Sequence, residues 1–186
     1  MLINHYLTEN NISIYALAEK ADLAYSTVRH ICSGKADIRK CRHSTVEKIA
    51  SALDISTEDV KLLCEQKYSF SLFKSASHHQ VKREGEIGFV IEILKSGDVE
   101  RYWRLRMYRE TFYLVAMVDY YSRKNGIDLY SGYNYIRNCK LKNKSYSEDI
   151  LLEYALTKDP KVLEEAEEHA IPEFLHYNLI EGGLEE

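Results

Sequence analysis

The sequence predicts an all-α protein built as two helical domains, and three observations carry that prediction. Glycine and proline are scarce, 8 and 2 in 186 residues, so the many turns of a β-sandwich have little to build them. Apolar residues recur on one helical face in segment after segment. A polar, aperiodic stretch at 75–86 separates two such series. With 45% hydrophobic and 29% charged residues, a chain of this length buries about 70% of its unfolded surface and needs no disulfide or metal staple.

The first helix carries Leu2, Tyr6 and Leu7 on one face and ends at Glu9-Asn10-Asn11. Ser13 can cap a second, with Ile14, Leu17 and Ala18. Ala21-Asp22-Leu23-Ala24 reads as a short turn into a third helix from Tyr25 to about Ser33, with Val28 and Ile31 inward and Gly34 as its stop. Ser44 and Glu47 form a capping box that opens a fourth helix, with Val46, Ile49, Ala50 and Leu53 on one side. Ser56 caps a fifth, Thr57 to Leu63. Residues 1–66 are thus one domain, 67–86 a connecting helix and linker, and 87–186 a second helical domain.

In that second domain Ile87, Val90, Ile91 and Leu94 give a short helix ended near Ser96-Gly97. Asp98 can cap a long one to about Lys124, stopped by Gly126. Its centre, Phe112 to Val118, is apolar on every side, as in a helix surrounded by neighbours. Helices over 130–138, 148–157, 161–170 and 173–177 follow, with Pro160 and Pro172 at the last boundaries.

The net charge of −4 hides a segregation. Residues 1–66 carry 8 basic and 9 acidic side chains, 67–144 carry 15 and 8, and 145–186 carry 2 and 12. The near-neutral first domain still holds a local basic cluster, Arg29, Lys35, Arg39, Lys40, Arg42 and Lys48. Because salt screens charge beyond about 10 Å, such a local patch matters more for phosphate contact than a domain's net charge.

Residues 13–34 have the spacing of a helix-turn-helix. Leu-Ala-Glu-Lys-Ala-Asp-Leu at 17–23, Ser-Thr-Val-Arg-His-Ile at 26–31, Ser-Gly-Lys at 33–35 and Ile-Ala-Ser-Ala-Leu-Asp-Ile-Ser at 49–56 follow one another in order. Over residues 2–63 the chain resembles the Xre/Cro family of bacterial and phage repressors. The resemblance implies a five-helix lambda-repressor-like DNA-binding domain whose second motif helix enters the major groove. It implies base contact by Tyr25, Ser26, Arg29 and His30, with Thr27 near a phosphate or a thymine methyl. Arg29 suits a guanine, since its fork spans O6 and N7. Lys35, Lys40 and Arg42 would hold phosphates and add affinity without sequence information. Three positions depart from the family's habit: Asp22 stands where glycine is usual, Ala24 at an N-cap that favours serine or threonine, and Ile14 where a phosphate-binding polar residue is common. The Ala24 choice costs about 1 kcal/mol.

In the second domain, arginines 101, 104, 106 and 109 interleave with Tyr102, Trp103 and Tyr108. The cluster fits a nucleic-acid stripe, a cation–π ladder or, the favoured reading, a counterpart for the acidic C-terminal segment. Arginine–aromatic clusters also mark binding hot spots, which makes Tyr102, Trp103, Arg106 and Arg109 the partner-binding candidates. Asp119 is expected to pair with Arg123 one turn on. His169, Glu173 and His176 share a helical spacing but Pro172 interrupts it, so no metal is expected, and no cofactor either. No Walker loop, G-x-G-x-x-G, nucleophile triad or paired-carboxylate pocket is visible, and no enzyme is expected.

Phe112 to Arg123 and Ala170 to Asn178 look like the helical extension of some Firmicute-type helix-turn-helix proteins that resemble antitoxins or small-operon regulators. That resemblance implies a partner-binding domain, repression of the protein's own operon and a cognate toxin as partner. The expected function is a sequence-specific transcriptional repressor that binds a palindromic operator in double-stranded DNA as a homodimer, autoregulatory and the antitoxin of a toxin–antitoxin pair. Two alternatives stay open: a protein-interaction module whose helix-turn-helix binds no DNA, and a ligand-responsive regulator with a tyrosine-lined pocket. Four scattered cysteines (Cys32, Cys41, Cys64, Cys139), no apolar run near 18 residues and no basic leader at the N-terminus fit reduced thiols in a cytoplasmic protein.

Overall fold

A computed structural model describes residues 2–65 and 68–182 and resolves two compact units, Met1–Ser69 and Phe70–Glu186. The first unit contains α1 (Leu2–Glu9), α2 (Ile14–Lys20), α3 (Tyr25–Cys32), a 3-10 turn at Ile38–Lys40, α4 (His43–Leu53) and α5 (Thr57–Leu63). Of the residues the periodicity turns inward, Tyr6, Leu7, Leu17, Ala18, Val28, Ile31, Val46, Ile49, Ala50 and Leu53 are buried, Leu2 and Ile14 are only partly so, and Ile3, Ile38 and Val60 join the core. α2 packs on α3 and α4, and α5 packs on α1 and α4.

Asp22 makes the turn between α2 and α3. It sits in the left-handed region at φ 49°; its N–H bonds the Glu19 carbonyl, and the Leu23 N–H reaches back to the Ala18 carbonyl, a Schellman stop. α4 begins two residues before its expected start, with Arg42 and not Ser44 at the N-cap. Arg42 is extended (ψ 142°) and His43 already helical, so Ser44 stands at the second position of the first turn and its hydroxyl does not cap the helix. Glu47 instead meets His43 across one turn at 3.2 Å.

The second unit begins with α6 (Phe70–Ser96), which bends at Gly85 (φ 75°, ψ 164°). The stretch 75–86, expected as a linker, is therefore helical as far as Glu84. Phe70, Phe73, Ser77 and Val81 turn inward at helical spacing, and the polar Ser77 within that stripe hides the pattern. Beyond the bend Phe89, Val90 and Ile93 are buried.

The helix expected over 98–124 is two helices, α7 (Asp98–Arg104) and α8 (Tyr108–Lys124). Gly97, not Asp98, holds the N-cap of α7. Arg106 lies at φ 56°, and its N–H and that of Met107 close a Schellman motif onto the Trp103 and Tyr102 carbonyls. Residues two apart on a helix point nearly opposite ways; reversing the chain at Arg106 lets Leu105 and Met107 both be buried. α8 is the central element, with all of Phe112 to Val118 buried and α6, α7 and α12 packed around it.

A 3-10 turn (Ser131–Tyr133) runs into α9 (Asn134–Arg137), followed by β1 (Ser145–Tyr146), α10 (Glu148–Thr157), α11 (Lys161–Glu168), α12 (Pro172–Leu175) and β2 (Leu179–Ile180). β1 and β2 pair in parallel, Ser145 opposite Leu179 and Tyr146 opposite Ile180. This two-residue ladder is the only strand pairing among the described residues and has no periodic signal in the sequence.

Candidate nucleic-acid interface

The helix-turn-helix is built around a close crossing. Leu17 and Ala18 of α2 and Val28, Ile31 and Cys32 of α3 are buried, and the small Ala18 leaves room where the helices approach. Burying Val28, Ile31 and Cys32 fixes the rotation of α3 and turns Tyr25, Ser26, Arg29 and His30 to solvent. Gly34 (φ 73°) releases the chain, and the Ala36 N–H bonds the His30 carbonyl, folding the segment that carries Lys35 back against the end of α3.

All eight side chains assigned from the sequence, Tyr25, Ser26, Thr27, Arg29, His30, Lys35, Lys40 and Arg42, are exposed. The basic cluster divides in two. Arg39 is held by Asp37 at 3.2 Å and Lys48 by Asp22 at 2.7 Å. Arg29, Lys35, Lys40 and Arg42 make no ion pair among the described residues. A further aromatic, Tyr15 on α2, is 67% exposed and lies beside Tyr25, ring centres 6.4 Å apart. Sequence reading passed over it because it belongs to no apolar face.

Helix starts follow the same division. Ser13 caps α2 through a bond from the Ala16 N–H at 3.0 Å, and Ser56 caps α5 through one from the Asp59 N–H at 3.0 Å. α3 and α4 open at Ala24 and Arg42 with no side-chain cap. Their first N–H groups are left as donors at the positive ends of the helix dipoles, beside the exposed Tyr25, Ser26 and Arg42. Burial pushes the Cys32 thiol up to about 11 and the Cys64 thiol to about 12, so both stay protonated.

The arginine–aromatic cluster of the second unit is divided by the break at Arg106. Tyr102 and Trp103 are half-buried on α7, Tyr102 edge-on to Phe73 and Trp103 edge-on to Tyr108 and Tyr135. Burial pushes the Tyr102 hydroxyl up to about 12. Arg106 donates to the Tyr108 hydroxyl at 3.0 Å. Arg109 is exposed, its guanidinium 4.0 Å above the Phe70 ring.

The acidic segment does fold onto the basic one, through other residues: Lys74 with Glu181 at 2.8 Å, Arg123 with Glu173, and Lys144 with Glu167. Asp119 consequently pairs not with Arg123 but with Arg137, at 2.7 and 2.8 Å. His169 and His176 bond the carbonyls of Glu165 and Arg137, and no metal-holding group of His, Cys, Asp or Glu occurs among the described residues. No helix among them is long and apolar enough to cross a membrane.

Residues 3–60 match the family model of the Cro/C1-type HTH DNA-binding domain. No curated protein and no solved structure matches the chain. The matched stretch takes in α1 to α4 and the first turn of α5, including the crossing of α2 on α3 and the outward face of α3. Residues 3–60 of this protein are a Cro/C1-type helix-turn-helix domain, which supports a DNA-binding regulator.

Proposed function

We propose that the protein is a sequence-specific transcriptional repressor that binds a palindromic operator as a homodimer and represses its own operon. The observation that carries this reading is the exposed face of α3 with its free cation, Arg29, flanked by the uncommitted Lys35, Lys40 and Arg42. Tyr25, Ser26, Arg29 and His30 read base edges in the major groove, and the three others hold phosphates. Two such helices about 34 Å apart meet successive turns of one face of the duplex. The second unit supplies dimerisation or binds a protein partner, a toxin that the protein neutralises as its antitoxin.

The test is a fluorescence-anisotropy titration of the protein against its own upstream DNA and a scrambled duplex, at two salt concentrations. Tight, sequence-selective binding with a steep salt slope is expected. Equal weak binding to both duplexes overturns the repressor reading in favour of an interaction module, the reading that Ala24 and Ile14 support.

A further inference from the structure

α10 and α11 form a helical hairpin in which neither helix has a buried residue. On α10, Leu152 and Leu156 stand one turn apart, 60% and 77% exposed, with the exposed Leu151 beside them. Leu152 and Leu156 make one outward apolar stripe, with Leu151 at its edge, where it lines a cavity with Leu141 and Tyr146. The hairpin is fastened to the rest of its unit at Glu167, which accepts from the Tyr146 hydroxyl at 2.6 Å and pairs with Lys144. Between Glu148 and Glu168 it carries eight carboxylates against Lys158 and Lys161. Glu148, Asp149, Glu153, Glu164, Glu165 and Glu168 are in no ion pair among the described residues.

We propose that this hairpin is the docking surface for a second protein, whose own face is an apolar groove rimmed by lysine and arginine. Charge selects that occupant. The leucine stripe is bordered by carboxylates at Glu148, Asp149 and Glu153, so a basic rim gains attraction where an acidic one meets repulsion. The same sign excludes a nucleic acid. A second copy of the hairpin would set the same carboxylates against each other. It would also offer one helix about 15 Å long, with three leucines, where a stable interface takes about 800 Å² per partner. A groove that receives both helices is the helix-in-groove mode of recognition. The proposal rests on the second unit as a partner-binding unit and not on DNA binding. It places the surface away from Tyr102 and Trp103, which their own core half-buries.

The probe is a fluorescent amphipathic helical peptide of leucine and lysine, titrated with the full chain in the absence of DNA. Its control is a peptide of equal charge with serine in place of leucine. The leucine peptide is expected to bind and the serine peptide not. Leu152→Ser combined with Leu156→Ser is expected to weaken binding at least about tenfold with thermal unfolding unchanged, since both side chains are exposed. Equal binding of the two peptides, or binding undiminished by the leucine substitutions, overturns the proposal. So does sedimentation showing a dimer that the two serine substitutions dissociate, which would give the stripe to a second copy.

Discussion

Lys48 on α4 clasps Asp22, the left-handed residue in the turn of the helix-turn-helix, with its ammonium 2.7 Å from the carboxylate and 3.1 Å from the main-chain carbonyl. One side chain thus ties the turn that orients α3 to the helix that supports it. The pair is solvated, so its value lies in position rather than in energy. The Lys48 hydrogen bond and charge hold the Asp22 carboxyl below its usual range. A carboxylate depressed in the folded state contributes stability above its unfolded pKa and loses it as pH falls through the folded one.

Replacing Asp22 separates the two jobs this residue does. Asp22→Ala keeps a β-carbon in the left-handed region without the side chain that tolerates it there, and is expected to cost about 1 kcal/mol. Asp22→Gly also loses the Lys48 contact but relieves the backbone, and is expected to be the more stable of the two variants. Urea unfolding of both checks the order, and DNA titration shows whether the clasp matters to the set of α3.

The first unit is legible in the sequence because its signals are local. Ser13 and Ser56 sit at helix starts, Gly34 at a stop, and Leu17, Ala18, Val28 and Ile31 at the crossing. The second unit is less so, because what shapes it is distant or unusual. An arginine in the left-handed region divides α7 from α8, inward Ser77 and His78 disguise a helix as a linker, and β1 pairs with a strand 34 residues further on. At the candidate interface, the sequence names the cations but not their engagement. Arg39 and Lys48 look like Lys40 and Arg42 until Asp37 and Asp22 are seen to hold them.

His78 ties α6 to α8 through a 2.7 Å hydrogen bond between its Nε2 and the Tyr113 hydroxyl. Burial, with the nearby cations Lys74 and Lys82 and the neighbouring His79, lowers its pKa. A histidine whose folded pKa is lowered contributes fully above its unfolded value of about 6.5 and loses that contribution as pH falls through the folded one. Stability of the second unit is therefore expected to fall between neutral pH and about pH 5, and His78→Gln to flatten that dependence. Urea unfolding at both pH values, wild type against variant, measures it. An identical pH dependence in the two would remove His78 from the account.

Arg137 and Asp119 join α9 to the central helix α8, their side chains 16% and 9% exposed. Arg137 also bonds the Tyr130 carbonyl and the Asn134 side chain, so one guanidinium organises the whole turn before α9. Arg137→Leu leaves a buried carboxylate without its partner and is expected to cost about 3–5 kcal/mol. Adding Asp119→Leu removes that stranded charge and is expected to recover a large part of the loss. A double-mutant cycle from chemical unfolding settles it; additive costs would mean the two side chains act independently.

Arg29 and Lys40 are both exposed cations of the first unit, yet they predict different defects. Arg29 projects from the face of α3 that Val28 and Ile31 turn outward, where a guanidinium can span two acceptors on one base. Lys40 lies in the 3-10 turn before α4, beside the uncapped start of that helix, where a phosphate finds N–H groups and positive charge together. Arg29→Ala is expected to lose about 1–3 kcal/mol on the operator and much less on scrambled duplex, so that selectivity falls. Lys40→Ala is expected to weaken both duplexes alike and to reduce the salt slope by about one counterion. Anisotropy titrations on the two duplexes across a salt series separate these outcomes. Equal losses from both variants on every sequence would show that α3 contributes charge to the complex and reads no base through Arg29.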